Sequence, residues 1–282
     1  MSVRLGRIGY LNVLPIHHPL ETGIIENDFE IVAGPPAELN VLMDAGQLDL
    51  SGCSSIEYAR HHEKYYLIPD IAIGSRGPVQ SVLLLSRKPV KELDGRTVLV
   101  SAQTHTSAAL LRVLLAELWG ISADYVTGDA TAMLETGEHP EAILCIGDEA
   151  LNLRYHQDYP VRTDLGEAWR QLTGEPFIFG VWIASRKSYA ANETKIRQAC
   201  ETLMAARRWG TDHLAELCVL AAEGSRLNQR EMCSYFVGLL YDFAKAEVRG
   251  LRLFYEYLSR HGIIKAVPPI NFLPGTVDYS TE

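Results

Sequence analysis

Amide and hydroxyl side chains recur where the predicted strands of this sequence end, and they could hold a polar ligand by hydrogen bonds. Asn12 follows the strand-like segment RLGRIGYL. Ser54 and Ser55 follow a later strand, and Ser81 follows a Gly-Pro turn. The Asn amide supplies one acceptor and two donors, and each Ser supplies a hydroxyl. The same residue types also form turns and helix caps, so a purely structural role is the alternative at each position.

The segment SAQTHTSAALLRVLL places a run of hydroxyl and amide side chains where the apolar strand TVLV meets a strongly helical stretch. One N-cap needs only a single such side chain. The first-turn N–H groups and the positive end of the helix dipole favour an anion at the same place. The segment therefore predicts a carboxylate or phosphate site made without lysine, from Gln103, Thr104, Thr106 and Ser107. Ordinary helix capping is the alternative.

Two further candidates lie near the ends of later strands. Asp148 follows AILCIG and either orients a ligand hydroxyl or caps the next helix. Phe179 belongs to an aromatic group with Phe177 and Trp182. Such side chains suit a flat unsaturated ring, although they also pack in cores. We include Asp148 and Phe179 among the predicted substrate-binding residues.

The composition and the motifs argue against several other classes of site. A formal net charge of -9 disfavours a nucleic-acid groove or a basic membrane-docking surface, since both need concentrated Lys and Arg. The sequence contains no Gly-rich phosphate loop, dinucleotide fingerprint, GxSxG elbow or HExxH zinc motif. The pairs His17-His18 and His61-His62 lack the i, i+4 spacing of a helical metal site. We therefore expect neither a metal nor an organic cofactor.

The cysteines and the N-terminal segment indicate a cytoplasmic protein. The five cysteines are widely spaced and include no CxxC pair, so we expect reduced and mostly packed thiols. The N-terminal apolar segment is short, is interrupted by Gly9 and Asn12, and lacks a small-residue cleavage site. No segment approaches the roughly 18 consecutive apolar residues of a membrane span.

Strand-like and helix-like segments alternate along most of the chain, which predicts an α/β fold with mostly parallel sheets. The apolar strands SVLLLS and FGVWIAS bracket a middle block and end in similar small polar turns. This symmetry predicts one discontinuous lobe, residues 1–87 plus 184–282, and an inserted lobe, residues 88–183. A ligand would bind in the cleft between the lobes, at the carboxyl ends of parallel strands.

Five segments, taken in order, resemble the chorismate dehydratases of the futalosine route to menaquinone. They are IGYLNVLP, PDIAIGSRGPVQSVLLLS, SAQTHTSAALLRVLL, ILCIGDEAL and LGEAWRQLTGEPFIFGVW. The resemblance implies a two-lobed, type II periplasmic-binding-protein-like fold with an interlobe cleft. It also implies conversion of chorismate to 3-[(1-carboxyvinyl)oxy]benzoate and water, without a metal or an organic cofactor.

The resemblance further implies catalytic roles for Asn12 and Ser81, whose counterparts in that family lie closest to the reacting ring. It suggests that the enolpyruvyl carboxylate of the substrate takes the ring proton before water leaves. Two alternatives stay open: a non-catalytic protein of the same fold that binds a small carboxylate, and the later pathway enzyme that acts on cyclic dehypoxanthine futalosine. The sequence does not decide between a monomer and a homodimer.

Overall fold

The computed structural model describes residues 2–101 and 104–279. In these residues the strands form two five-stranded sheets. Numbered along the chain, the strands are β1 (Val3–Ile8), β2 (Phe29–Gly34), β3 (Leu50–Ser54), β4 (Tyr65–Ser75), β5 (Val82–Ser86), β6 (Thr97–Val100), β7 (Asp124–Thr127), β8 (Ala142–Ile146), β9 (Val161–Asp164) and β10 (Phe177–Ser185). The first sheet has the order β2-β1-β3-β10-β4, and the second has the order β7-β6-β8-β5-β9.

Helices connect the strands and form the C-terminal part of the chain. The α-helices are α1 (Leu14–Glu21), α2 (Pro36–Asp44), α3 (Ser55–His61), α4 (His105–Glu117), α5 (Ala130–Glu135), α6 (Gly147–Leu153), α7 (Leu165–Thr173), α8 (Arg186–Ala191), α9 (Glu193–Asp212), α10 (Leu214–Glu223), α11 (Gln229–Gly238) and α12 (Lys245–Arg260). Short 3-10 helices span Leu11–Val13 and Val90–Leu93. Helix α9 packs against α1 and β4, and α12 packs against β10 and α4. The C-terminal helices therefore contact the first sheet and also α4, the helix that follows β6 of the second sheet.

The predicted two-lobed α/β architecture with mostly parallel sheets is confirmed: in each sheet four of the five strands run in the same direction, and one strand, β10 or β5, runs in the opposite direction. Strand β1 runs parallel to β2 and β3, and β6 runs parallel to β7 and β8. Strand β10 is antiparallel to β3 and β4, and β5 is antiparallel to β8 and β9. The reason lies in the two crossings between the sheets. Strands β4 and β9 end at the side that faces the other sheet, so β5 and β10 begin there and run in the opposite direction.

Strands β5 and β10 each pair in the sheet opposite to the one that the predicted lobe limits assign to them. Strand β5 pairs in the second sheet, although it falls within the predicted 1–87 segment. Most of β10 falls within the predicted 88–183 segment, yet this strand pairs in the first sheet. Both strands are apolar and buried on both faces, so their pattern predicts a central strand without indicating its sheet. As limits of domains, the predicted ranges stay a prediction.

Two of the five cysteines form a disulfide, and the prediction of reduced thiols is wrong for this pair. Cys218 on α10 and Cys233 on α11 are bonded, with a Cα–Cα distance of 4.9 Å. The helices lie side by side, and a sequence separation of 15 does not reveal that contact. Cys53, Cys145 and Cys200 are free and buried, as predicted.

Residues 2–101 and 104–279 contain neither a membrane-spanning helix nor a cluster of metal-binding side chains. None of the helices there combines the length and the apolar character needed to cross a bilayer. No group of three or more His, Cys, Asp or Glu side chains in the same residues is arranged to hold a metal ion.

Candidate active site

A cavity lies between the two sheets, at the ends of β1, β3, β6 and β8. Its described lining combines apolar side chains with amide, hydroxyl and aromatic groups. Seven predicted site residues line it: Asn12, Ser54, Ser81, Thr104, Thr106, Ser107 and Phe179. The fold thus brings together residues that are far apart in sequence. Gln103, another predicted site residue, lies outside the described residues.

Asn12 lies in the 3-10 helix that joins β1 to α1, and local structure does not explain its amide. The N-cap of α1 is Val13, and no side chain caps that helix end. Among the described residues the only non-glycine positions with positive φ are Asp70 and Gln80, so the turn does not need an Asn at position 12. The Asn12 Oδ1 atom is buried and has no hydrogen-bond partner among the residues that the structure describes. Its oxygen is therefore available to a ligand.

Ser54 and Ser55, at the end of β3, play different parts. Ser54 occupies the N-cap position of α3 but makes no capping bond, and its buried Oγ has no hydrogen-bond partner in the described part of the chain. Ser55 is completely buried and its Oγ lies 3.5 Å from Thr106 Oγ1 on the other side of the cleft. Thr106 Oγ1 also accepts a hydrogen bond from the Ile56 N–H at 3.1 Å. Ser54 therefore faces the cavity, whereas Ser55 and Thr106 join the two lobes.

The hydroxyl groups at the start of α4 do not cap the helix. Thr104 is the N-cap residue, yet its side chain makes no capping bond and instead donates to the Ser101 carbonyl at 2.7 Å. Thr106 and Ser107 lie in the first turn, are buried, and line the cavity. The amino end of this 13-residue helix thus faces the cavity. It is a favourable place for a carboxylate.

Ser81 directly precedes β5, and hydrogen bonds hold the turn before it. The Asp164 carboxylate accepts hydrogen bonds from the N–H groups of Val79 at 3.0 Å and Gln80 at 2.7 Å. Gln80 has a φ of 64°. The Ser81 hydroxyl is buried and accepts a hydrogen bond from the Tyr235 hydroxyl at 3.1 Å.

Asp148 lies beside the cavity and contacts the opposite lobe. Its carboxylate accepts a hydrogen bond from the Leu11 N–H at 3.4 Å, and Asp148 is not among the described lining residues. Burial raises the pKa of this carboxyl, and the Leu11 hydrogen bond partly offsets that effect. The neighbouring Gly147 has a φ of 55°, and a Cβ there would come within 3.2 Å of the Tyr10 ring. A side chain at position 147 would therefore strain the backbone and crowd the cavity.

Two aromatic side chains from β10 reach the cavity. Phe179 is the extra residue where the pairing with β4 shifts between Ile178 and Gly180. Such a bulge redirects a side chain. Trp182 is 2% exposed and packs against Gly52, and no described residue accepts a hydrogen bond from its Nε1 atom.

Comparison with known proteins shows the family to which this chain belongs. Residues 3–260 match the family model described as menaquinone biosynthesis. The chain belongs to the menaquinone biosynthesis family. The chorismate dehydratase of Thermus thermophilus is 30% identical to it over 272 residues, which are 90% of this chain and 94% of that protein. The 1,4-dihydroxy-6-naphtoate synthase of Streptomyces coelicolor is 26% identical over 251 residues, or 82% of each protein.

Structural similarity supports the same assignment of the fold. A conserved Candida albicans gene product with the generic periplasmic binding protein fold matches this chain with a TM-score of 0.69 and 10% identity. The match covers 99% of both chains. At this identity the match shows the fold alone. The resemblance and the fold class predicted from the sequence are both confirmed.

The cavity of this member of the menaquinone biosynthesis family is electrically neutral in its described part. No Lys, Arg, Asp or Glu lines it there. Burial, and to a smaller extent the Asp148 carboxylate, raises the pKa of Tyr10 to about 12. Burial also raises the pKa of the Cys53 thiol, so both groups stay protonated at neutral pH. An anionic ligand would therefore be held by hydrogen-bond donors and a helix terminus rather than by cations.

Several lining residues were not predicted as site residues. Tyr10, Asn40 and His105 line the cavity, and so does Trp182, whose aromatic ring was noted but whose N–H was not. His105 is exposed and begins α4 within the predicted SAQTHTS segment. Tyr10 stands two residues before Asn12, so its place in the same turn is a usable signal. Asn40 lies on α2 without a distinctive sequence pattern.

Proposed function

We propose that this chain is a chorismate dehydratase, which converts chorismate to 3-[(1-carboxyvinyl)oxy]benzoate and water. The observation that carries this proposal is a set of buried polar atoms of the cavity lining that have no hydrogen-bond partner among residues 2–101 and 104–279: Asn12 Oδ1, Ser54 Oγ and Trp182 Nε1. Leaving such an atom unsatisfied costs about 1 to 3 kcal/mol. A ligand that carries a hydroxyl and carboxylates, as chorismate does, would supply the missing partners. The relationship to the Thermus chorismate dehydratase supports the same substrate.

The cavity offers a place for each part of the substrate. The ring can lie against Phe179 and Trp182, which supply aromatic surface. We propose that Ser54, Thr106 and Ser107, together with the start of α4, bind a carboxylate. In this arrangement Ser55 and Asp148 act through the contacts that they make across the cleft, with Thr106 and Leu11.

We propose that the substrate supplies its own base. The C–H bond at the ring carbon that carries the enolpyruvyl ether breaks, and its proton goes to the enolpyruvyl carboxylate. The C–O bond to the neighbouring ring hydroxyl then breaks, the hydroxyl leaves as water with that proton, and the ring becomes aromatic. Asn12 positions the departing hydroxyl or the nearby carboxylate, and Ser81 donates a hydrogen bond to the same region. Preorganised hydrogen bonds of this kind are large catalytic terms in a desolvated site.

No step in this proposal calls for a metal or an organic cofactor, because the substrate carries both the proton donor and the acceptor. Activity should therefore persist in a metal chelator. This expectation is separate from the identity of the substrate, and the same assay tests both.

The direct experiment is incubation of the purified protein with chorismate in buffer containing a chelator, followed by ultraviolet and mass detection. We expect a product that has lost one water from chorismate and carries an aromatic ring. Binding of chorismate without turnover would favour the non-catalytic alternative. Turnover of cyclic dehypoxanthine futalosine in place of chorismate would favour the later pathway enzyme.

A further inference from the structure

A tyrosine behind the cavity wall contacts one of the two proposed catalytic side chains. Tyr235 lies on α11 and is completely buried. Its hydroxyl donates to Ser81 Oγ at 3.1 Å. Ser81 is a described lining residue of the cavity, whereas Tyr235 is not. The tyrosine therefore stands one hydrogen bond away from the ligand.

The direction of this hydrogen bond decides what the Ser81 hydroxyl can do. A serine hydroxyl has one hydrogen, which rotates to suit its neighbours. When Tyr235 donates to Ser81 Oγ, the hydrogen of Ser81 is not needed in that contact and can point into the cavity. Burial raises the pKa of the Tyr235 phenol, so the phenol keeps the hydrogen that it donates to Ser81 Oγ.

We infer that Tyr235 is a positioning residue, which holds Ser81 so that its hydroxyl donates to the substrate. This inference rests on the proposed dehydratase function. Tyr235 itself touches neither the substrate nor the reacting atoms, and it acts through Ser81.

The helix that carries Tyr235 is anchored on several sides. Its start is closed by a capping box between Asn228 and Glu231. The Glu231 carboxylate also accepts a hydrogen bond from Arg154, which follows α6, at 2.6 Å. Cys233 links the helix to α10. A hydroxyl mounted on such a support can fix the orientation of its neighbour, as preorganisation requires.

The helix is also tied directly to the turn that carries Ser81. The Gln80 side chain donates to the Ser234 carbonyl at 3.2 Å. Asp164 holds the backbone of the same turn from the other side. The backbone next to Ser81 and the helix that carries Tyr235 are therefore held in place independently of the Tyr235–Ser81 hydrogen bond. That bond is left to orient the Ser81 hydroxyl.

The test is Tyr235→Phe, which removes only the hydroxyl. We expect kcat for chorismate to fall about tenfold, the equivalent of about 1.4 kcal/mol, with little change in KM. The matched control is Tyr241→Phe. Tyr241 is also buried, and its hydroxyl has no protein partner in the described part of the chain. We expect this control to keep wild-type kcat.

A double-mutant cycle separates positioning from a general structural effect. In a Ser81→Ala background, Tyr235→Phe should cost nothing further in kcat, because the hydroxyl that it positions is gone. An equal loss in both backgrounds would overturn the inference, and so would a loss that follows the melting temperature. The double variant removes both partners and leaves no orphaned group, so it should be at least as stable as Ser81→Ala alone.

Wild-type turnover, measured first, keeps the two proposals apart. An active wild type together with an unaffected Tyr235→Phe variant would overturn this inference and leave the dehydratase function standing. A wild type without turnover would overturn the proposed function, and the inference with it, since Ser81 would then have no reaction to serve.

Discussion

Replacing Asn12 with Asp separates a catalytic role from a turn role more sharply than any other single change. Asp forms turns and caps nearly as well as Asn, so a structural residue would tolerate it. The cavity, however, has no cation in its described lining to balance a new carboxylate. A substrate carboxylate 4 to 6 Å away would be repelled by about 3 to 4 kcal/mol at an effective dielectric constant of about 20.

That repulsion predicts a fall in kcat/KM of about 100- to 1,000-fold, since each 1.36 kcal/mol is about tenfold. The melting temperature should fall only modestly at neutral pH, because Asn12 caps no helix in the structure and the burial of one new carboxylate is the only added cost. The assay is chorismate turnover at limiting and saturating substrate, alongside thermal unfolding. Asn192→Asp is the matched control, since Asn192 caps α9 by accepting from the Lys195 N–H. We expect that variant to keep wild-type activity and stability.

The pH dependence of the Asn12→Asp variant gives a second check. Burial and a nearby substrate anion both raise the pKa of the introduced carboxyl. Below that raised pKa the group is neutral, so the deficit relative to wild type should shrink as the pH falls. Activity within about threefold of wild type at neutral pH would refute a position of Asn12 beside a substrate carboxylate, because the charge repulsion expected there corresponds to a fall of at least about a hundredfold.

Three further substitutions test other parts of the site. Ser81→Ala should lower kcat by about ten- to a hundredfold through loss of a buried donor of about 1 to 3 kcal/mol, and steady-state kinetics near wild type would count against its role. Thr106→Val should weaken chorismate binding by about 1 to 3 kcal/mol, because it removes a buried hydroxyl of the cavity lining that we propose binds a carboxylate; calorimetry that finds unchanged affinity would exclude the hydroxyl from binding. His105→Gln should keep kcat within about threefold, because the substrate supplies the base, whereas a large loss of kcat together with loss of the acidic limb of the pH–rate profile would make His105 the base.

The residues of the candidate site could be predicted where each lies close to one end of a strand. Ser54 ends β3, Ser81 directly precedes β5, Asn12 lies in the turn after β1, and α4 follows β6. In a two-lobed α/β fold such positions face the cleft, so local pattern was sufficient to place them. The sequence could not show which of these side chains form the capping hydrogen bond of a helix. The structure shows that Ser54 and Thr104 make no capping bond.

Features that depend on contacts between distant segments could not be predicted in the same way. Tyr235 reaches Ser81 across 154 residues of sequence, from a helix whose amphipathic pattern indicates only that it packs. The cross-cleft contact of Asp148 with Leu11 spans 137 residues. The sheet joined by β5 was equally hidden, because a strand buried on both faces has the same apolar pattern in either sheet.

The central claim is that this protein dehydrates chorismate without a metal or an organic cofactor. One product analysis tests it most directly. The protein is treated with a metal chelator, mixed with chorismate, and followed by mass and ultraviolet detection, with the Asn12→Asp variant in parallel. We expect wild type to convert chorismate to 3-[(1-carboxyvinyl)oxy]benzoate with release of one water, and we expect kcat/KM of the variant to be lower by at least about a hundredfold. Chorismate recovered unchanged after incubation with folded wild-type protein would contradict it.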